Sequence, residues 1–250
     1  MIGPVILETR ALTKEFEGFL AVSNVDLAIR PGSIHALIGP NGAGKTTVFN
    51  LITRVYPATS GAILFKGGDI TRMRAAETAR QGLVRSFQIS SVFPHLSVAE
   101  NVRLAVQRKL GTSYQFWRSE SSLQVLDRQV LGILESFDLA GHALVTAVEL
   151  PYGRKRALEL ATTLAAEPDL LLLDEPTQGM GSEDIARVVQ LIRKAAAGRS
   201  VLLVEHNLAV VADLCDRITV LARGTVLAEG SYDEVAGDRA VQEAYIGVET

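Results

Sequence analysis

The sequence Gly39-Pro40-Asn41-Gly42-Ala43-Gly44-Lys45-Thr46 lies between two segments of different periodicity. A short apolar run from Ser33 to Ile38 precedes it and predicts a strand, whereas Lys45 to Arg54 repeats its apolar residues at helical spacing. The pattern Gly-x-x-x-x-Gly-Lys-Thr between a strand and a helix is typical of a phosphate-binding loop. The stretch therefore predicts an α/β fold built around a nucleotide-binding loop.

Each residue type in this loop suits the binding of phosphate groups; the alternative is an ordinary glycine-rich turn. Glycine backbones turn tightly, so successive N–H groups can point at anionic oxygens, and the positive end of the next helix adds to the field. We expect Lys45 to contact the outer phosphates, the Thr46 hydroxyl to bind Mg²⁺ and Thr47 to reach the α-phosphate. The predicted cofactors are ATP and Mg²⁺, and the predicted ATP-binding residues of the loop are Gly39, Pro40, Asn41, Gly42, Ala43, Gly44, Lys45, Thr46 and Thr47.

Two adjacent acidic residues follow a continuous apolar run far downstream of the loop. Leu170 to Leu173 is typical of a strand buried on both faces, and Asp174 and Glu175 end it. Because adjacent strand residues point in opposite directions, the two carboxylates cannot share one task. We expect Asp174 to hold Mg²⁺ through a bridging water or another of the ion's ligands, and Glu175 to polarise the attacking water as a general base. The alternative is a salt-bridged pair at the end of a core strand.

Gln88 and His206 complete the predicted chemistry. Gln88 lies where a core strand gives way to a helical region, and its neutral amide can hold both Mg²⁺ and water. His206 follows a strand and can donate a hydrogen bond to the γ-phosphate. Taken alone, the first would be a surface glutamine and the second a loop histidine. The other three histidines show no spacing suited to a metal, so we assign them structural or solvent roles.

The composition limits the classes of partner. The net charge of −3 provides no global basic field, so we expect no nucleic acid as the main partner. Cys215 is the single cysteine, which excludes an internal disulfide and favours a reducing compartment. The first residues do not resemble a secretion signal, and the most apolar runs are too short to cross a bilayer. If the chain serves a membrane process, another polypeptide supplies the membrane part.

The pattern along the chain predicts a helical insertion in an α/β domain. Strand and helix signals alternate up to residue 88, helical periodicity dominates 89–150, and a further helix runs to about residue 166. We therefore predict an ATP-binding core from 1–88 and 151–250, with 89–150 as a helical subdomain inside a single domain. Tyr232 to Ile246 is expected to be helical.

The order of these motifs resembles the ATP-binding-cassette (ABC) ATPases over nearly the whole chain. The resemblance implies a P-loop NTPase core with a mixed β-sheet, an N-terminal antiparallel β-subdomain and an inserted α-helical subdomain. Leu150-Pro151-Tyr152-Gly153-Arg154 stands at the position of the family signature. By the resemblance, Pro151, Tyr152 and Gly153 contact the ATP of the opposite subunit in a head-to-tail dimer. Phe16 would stack on adenine, with Phe19 as a competitor and a plain core position as the alternative.

Two positions depart from the family pattern. Pro151 replaces the signature serine, which removes a hydroxyl and a backbone N–H, and Gly181 stands where many relatives carry an aspartate. We hypothesise that the chain pairs with a sister ATPase with a standard signature, which would give one strong and one weak site.

The sequence of three segments is similar to that of importer ATPases for branched-chain and other hydrophobic amino acids. These segments are 150–161, 175–181 and 243–247. This resemblance implies a second ABC ATPase subunit, two transmembrane permeases, a periplasmic binding protein acting indirectly, and a peripheral location on the cytoplasmic face of the inner membrane. The alternatives are importers of urea, amides or aromatic acids, ABC ATPases outside transport, and a regulatory nucleotide-binding module without chemistry.

Overall fold

The computed structural model describes residues 4–86, 92–109 and 120–246 and has an α/β architecture. It divides into two compact units. The first consists of Met1–Arg85, Asp169–Gln178 and Ala196–Thr250, and the second of Ser86–Pro168 and Gly179–Ala195. No helix within the described ranges combines the length and the apolar character needed to cross a membrane.

An antiparallel sheet of four strands opens the first unit. Its order is β2-β1-β4-β5, with β1 at Leu7–Phe16, β2 at Phe19–Ile29, β4 at Ser60–Phe65 and β5 at Gly68–Asp69. β1 and β2 form a hairpin through Glu17 and Gly18, and both turn residues have positive φ values, of 47° and 87°. The inward side chains of these strands, among them Leu7 and Ile63, belong to one buried cluster with the helix that follows the phosphate loop.

A mixed sheet of six strands forms the rest of this unit's framework. Its order is β10-β9-β3-β8-β7-β6, with β3 at Ile34–Ile38, β6 at Leu83–Ser86, β7 at Leu170–Asp174, β8 at Ser200–Val204, β9 at Arg217–Ala222 and β10 at Thr225–Gly230. β3 pairs in parallel with β8 and β9, β7 pairs in parallel with β8, and β10 pairs antiparallel with β9. Every residue of β7 and β8 is buried, as their continuous apolar sequences predict. The predicted α/β class, with its mixed and antiparallel sheets, is confirmed.

Five helices belong to the first unit: α1 (Lys45–Ile52), α2 (Ala75–Arg80), α7 (Leu208–Leu214), α8 (Tyr232–Ala236) and α9 (Arg239–Ile246). The segment from Tyr232 to Ile246, predicted to be helical, forms two helices rather than one continuous helix. Gly237 and Asp238 separate two helices there, and the Asp238 carboxylate accepts the backbone N–H of Ala240 at 2.8 Å. An aspartate that caps a new helix competes with continuation of the old one, which explains the break.

The described part of the second unit is built from α3 (Val98–Lys109), α4 (Glu120–Ser136), α5 (Tyr152–Leu164), α6 (Ser182–Ala196) and two short 3₁₀ turns at Ala140–His142 and Ala147–Glu149. α3 begins with a reciprocal cap, in which Ser97 and Glu100 accept each other's backbone N–H groups at 3.2 and 2.7 Å. A β-bridge between Ser97 and Thr146 ties the start of α3 to the segment before the second 3₁₀ turn. Within the described residues, α3 and α4 lie in segments where the sequence shows helical periodicity.

Candidate nucleotide-binding site

The phosphate loop connects β3 to α1 and depends on glycine for its shape. Gly39, Gly42 and Gly44 have φ values of 148°, 77° and 101°, which side chains disfavour. A Cβ at Gly39 would lie 2.1 Å from the carbonyl oxygen of Leu221 on β9. Only a glycine allows the start of the loop to lie directly against that strand.

Lys45 begins α1 with its ammonium group held over the loop. The residue is only 6% exposed, and its Nζ donates to the carbonyl oxygens of Gly39 at 2.6 Å and Pro40 at 2.9 Å. Burial lowers the pKa of Lys45, and the negative charges of Glu175 and Asp174 oppose that shift. The predicted loop residues differ in exposure. Asn41, Gly42 and Thr46 are exposed, Pro40, Gly44 and Thr47 are half-buried, and Ala43 is buried.

Asp174 ends β7, and its carboxylate forms an ion pair with Arg85 on β6. Both side chains are largely buried, with 5% and 11% exposure. Another nitrogen of Arg85 donates to the side-chain oxygen of Asn50 on α1 at 2.6 Å, and the guanidinium carbon lies 5.7 Å from the centre of the Phe49 ring. Our sequence reasoning did not identify Arg85. A charged residue inside a short apolar strand was the signal available.

Glu175 points to a different partner from Asp174. Its Oε1 lies 2.5 Å from Nε2 of His206, which follows β8. Its backbone has a φ of 45°, and its N–H donates to the carbonyl oxygen of Val204 at 2.9 Å. The His206 side chain is 42% exposed and that of Glu175 15%. The structure thus brings together, in the first unit, two residues that are 31 positions apart in the sequence.

Phe16 lies at the end of β1 and is 38% exposed. Its ring meets that of Tyr56 edge-on, with centroids 5.5 Å apart, and the Nζ of Lys14 lies 4.8 Å from its centroid. Phe19, across the hairpin, is 70% exposed. Phe16 is therefore less exposed than Phe19, and its ring contacts Tyr56 and Lys14.

The signature segment lies in the second unit. Pro151 precedes the first residue of α5, Tyr152 is 58% exposed, and Gly153 is buried near the carboxylate of Asp184. Arg154 anchors the start of this helix, because its Nη1 lies 3.2 Å from the Asp138 carbonyl oxygen and 3.2 Å from Nδ1 of His142. Gln88, the remaining predicted residue, lies outside the described residues.

Comparison with known proteins decides the family. Residues 22–178 match the family described as ABC transporter. The chain belongs to the ABC transporter family. Residues 220–250 of this cassette also match the family described as branched-chain amino acid ATP-binding cassette transporter. The resemblance to ABC ATPases is confirmed, and the cassette is an ATP-binding protein and an ATPase.

Individual relatives agree with this assignment over nearly the full length. The cassette is 36% identical over 252 residues to the high-affinity branched-chain amino acid transport ATP-binding protein LivG of Escherichia coli, covering 97% of this chain and 98% of LivG. Among solved structures, the ADP conformation of the ATP-binding cassette MJ1267 aligns with a TM-score of 0.84 and 29% identity, covering 98% of this chain and 99% of that one. A dimeric post-hydrolysis state of the cassette MJ0796, bound to ADP and Pi, aligns with a TM-score of 0.75 and 25% identity, covering 90% and 98%.

Proposed function

We propose that this ATPase powers the uptake of branched-chain or related hydrophobic amino acids through separate permease subunits at the cytoplasmic face of the inner membrane. The observation that carries the proposal is the full-length similarity to LivG, at 36% identity. The match of residues 220–250 to a branched-chain amino acid transporter family also supports it, and those residues lie outside the general ABC match. A periplasmic binding protein would deliver the amino acid to the permeases.

The phosphate groups of ATP bind in the glycine loop in this proposal. Lys45, already placed over the loop, exchanges its carbonyl partners for phosphate oxygens, and the loop N–H groups take the remaining negative charge. The ring of Phe16 stacks on adenine. Thr46, Thr47 and the other loop residues contact the phosphates along the start of α1.

The residues around the loop also fit Mg²⁺. Thr46 and Asp174 offer the oxygen donors that Mg²⁺ prefers. The amide oxygen of Gln88 is a further candidate donor, proposed from the sequence. When bound, Mg²⁺ neutralises charge on the phosphate oxygens. In the structure, Asp174 is oriented by its ion pair with Arg85.

Hydrolysis requires a water molecule directed at the γ-phosphate. Glu175 accepts a hydrogen bond from this water and polarises it. Nε2 of His206 lies 2.5 Å from the Glu175 carboxylate, and its N–H is shared with the γ-phosphate. Charge stabilisation by Lys45 and His206 supplies more of the rate than proton removal does.

The second half of each ATP site comes from another subunit in this proposal. Pro151, Tyr152 and Gly153 of one chain face the ATP of its partner, and the dimeric form of the MJ0796 cassette supports such an arrangement. Because Pro151 has no N–H and Gly181 has no carboxylate, the signature contributed by this chain is weak. We expect a sister cassette with a standard signature as partner, with the stronger site holding this chain's phosphate loop.

Glu175→Gln tests the ATPase mechanism. The variant is expected to bind a fluorescent ATP analogue as the unaltered cassette does, to lose turnover by about 10²–10⁴-fold, and to accumulate as the closed dimer with its partner. Glu135→Gln, on the exposed side of α4, is the control and should keep full turnover. Unchanged hydrolysis in Glu175→Gln would refute the role of this carboxylate.

Uptake of labelled leucine tests the transport function. We expect a strain without this cassette to lose high-affinity leucine uptake, and the unaltered gene but not Glu175→Gln to restore it. A tagged copy should co-purify with two permeases and a second cassette. Normal leucine uptake in the deletion strain, with the ATPase activity of the purified cassette intact, would overturn the amino-acid assignment and leave the ATPase standing.

A further inference from the structure

A buried carboxylate lies beside the Glu175–His206 pair. Glu205 joins β8 to α7 and is 3% exposed. Its Oε1 accepts the backbone N–H of Thr177 at 3.0 Å and also the Thr177 hydroxyl. Its Oε2 accepts the backbone N–H groups of His206 at 2.9 Å and Asn207 at 3.1 Å. All four donors are neutral groups of the protein.

These donors belong to two separate chain segments. Thr177 follows Glu175 at the end of β7, and His206 and Asn207 follow β8. β7 and β8 are parallel neighbours in the first unit, with Asp174 opposite Val204. One carboxylate therefore connects the loop that carries the expected base to the loop that carries the expected phosphate donor.

We propose that Glu205 is a positioning residue for ATP hydrolysis, which holds the two loops at the spacing that keeps the His206 ring against the Glu175 carboxylate. The inference rests on the proposed roles of Glu175 and His206. The four hydrogen bonds satisfy both oxygens of this buried group and compensate its removal from water. Glu205 is buried away from solvent, so it acts through its neighbours rather than on ATP.

The chemistry of the four bonds requires a carboxylate. An amide of the same size has one accepting oxygen and an NH₂ group that only donates. In Glu205→Gln this NH₂ must face either the Thr177 donors or the two backbone N–H groups at His206 and Asn207. Facing His206 and Asn207, it leaves both of those backbone N–H groups unpaired; facing Thr177, it leaves the Thr177 backbone N–H unpaired, although the hydroxyl can turn to accept from it.

The test separates the rate of hydrolysis from ATP binding. Glu205→Gln is expected to lower kcat for ATP on the order of tenfold or more, while KM and the affinity for a fluorescent ATP analogue stay within about twofold, because the phosphate loop is unaltered. Thr177→Val, which keeps the backbone N–H and removes the hydroxyl, should lower kcat by roughly threefold to tenfold. Thr177→Ser restores the hydroxyl and should recover most of that loss.

A matched control distinguishes positioning from general stability. Val235→Ala removes buried methyl groups from α8 in the same unit without touching either loop, so it should lower the unfolding temperature and leave kcat unchanged. A kcat within about twofold of the unaltered value in both Glu205→Gln and Thr177→Val would overturn the proposal. So would a loss that Thr177→Ser shares in full with Thr177→Val. If Glu205→Gln does not fold, the two Thr177 variants decide.

Glu175→Gln and His206→Ala are assayed in parallel. If both retain hydrolysis, the proposed mechanism fails and the positioning role fails with it. If both lose hydrolysis while Glu205→Gln and Thr177→Val do not, only the positioning role is refuted.

Discussion

His35 makes the stability of the ATP-binding unit sensitive to acid. It lies on β3, the strand that leads into the phosphate loop, and is 1% exposed. Its Nε2 lies 2.7 Å from the Thr219 hydroxyl, which in turn donates to the Glu229 carboxylate at 3.3 Å. Burial lowers the pKa of His35 to about 4; Glu229 opposes this shift, and Arg217 and Arg30 add to it. The imidazole is therefore neutral in the folded protein at neutral pH.

The size of the effect follows from the difference between the folded and unfolded pKa values. In the unfolded chain His35 titrates at its ordinary value of 6.5, and in the fold at about 4. As the pH falls between these values, the unfolded state gains a proton that the folded state does not. Stability present above pH 6.5 is thus progressively lost toward pH 4. Between about pH 7.5 and 5 this single group costs about 2 kcal/mol of unfolding free energy.

Urea unfolding followed by far-UV circular dichroism at these two pH values measures the loss. In His35→Gln the titrating group is gone, so the variant should lose about 2 kcal/mol less than the unaltered protein over the same interval. His95→Gln replaces an exposed histidine and should match the unaltered protein. Equal losses in His35→Gln and the unaltered protein would refute the reasoning.

Three further outcomes are expected from other parts of the first unit. Gly39→Ala should lower the unfolding free energy in urea by about 3 kcal/mol or more, since its Cβ would lie 2.1 Å from a carbonyl oxygen. Gly32→Ala, with a positive φ but open space, should lower it by about 1 kcal/mol. Equal losses would contradict the clash. Arg85→Met should destabilise the nucleotide-free protein by about 3 kcal/mol, because it leaves Asp174 buried without its cation. Arg85→Lys should recover part of this loss. An Arg85→Met variant as stable as the unaltered protein would show that the ion pair is dispensable. Burial raises the pKa of Cys215 to about 12. Iodoacetamide at pH 8 should therefore label this thiol roughly 10³-fold more slowly in the folded protein than in urea. Comparable labelling rates would exclude this burial.

Local patterns identified the phosphate site without any tertiary information. The strand, glycine loop and helix around Lys45 are consecutive in the sequence, and the loop's shape depends on φ values that glycine alone adopts easily. The strand before Asp174 was equally readable, because burial on both faces demands a continuous apolar run. The break at Asp238 was missed because a cap and a surface helical residue look alike in a single sequence.

The pairing of charges was decided by the tertiary structure. The sequence alone determined that this chain carries a glycine-rich phosphate loop and an Asp-Glu pair after a buried strand, in the order of an ABC ATPase, because each of these motifs is short and contiguous. It did not reveal that Arg85 holds Asp174, or that Glu205 joins the loops of Glu175 and His206. These partners lie on strands or loops far apart in the chain, and only the order of strands in the sheet brings them within hydrogen-bonding distance.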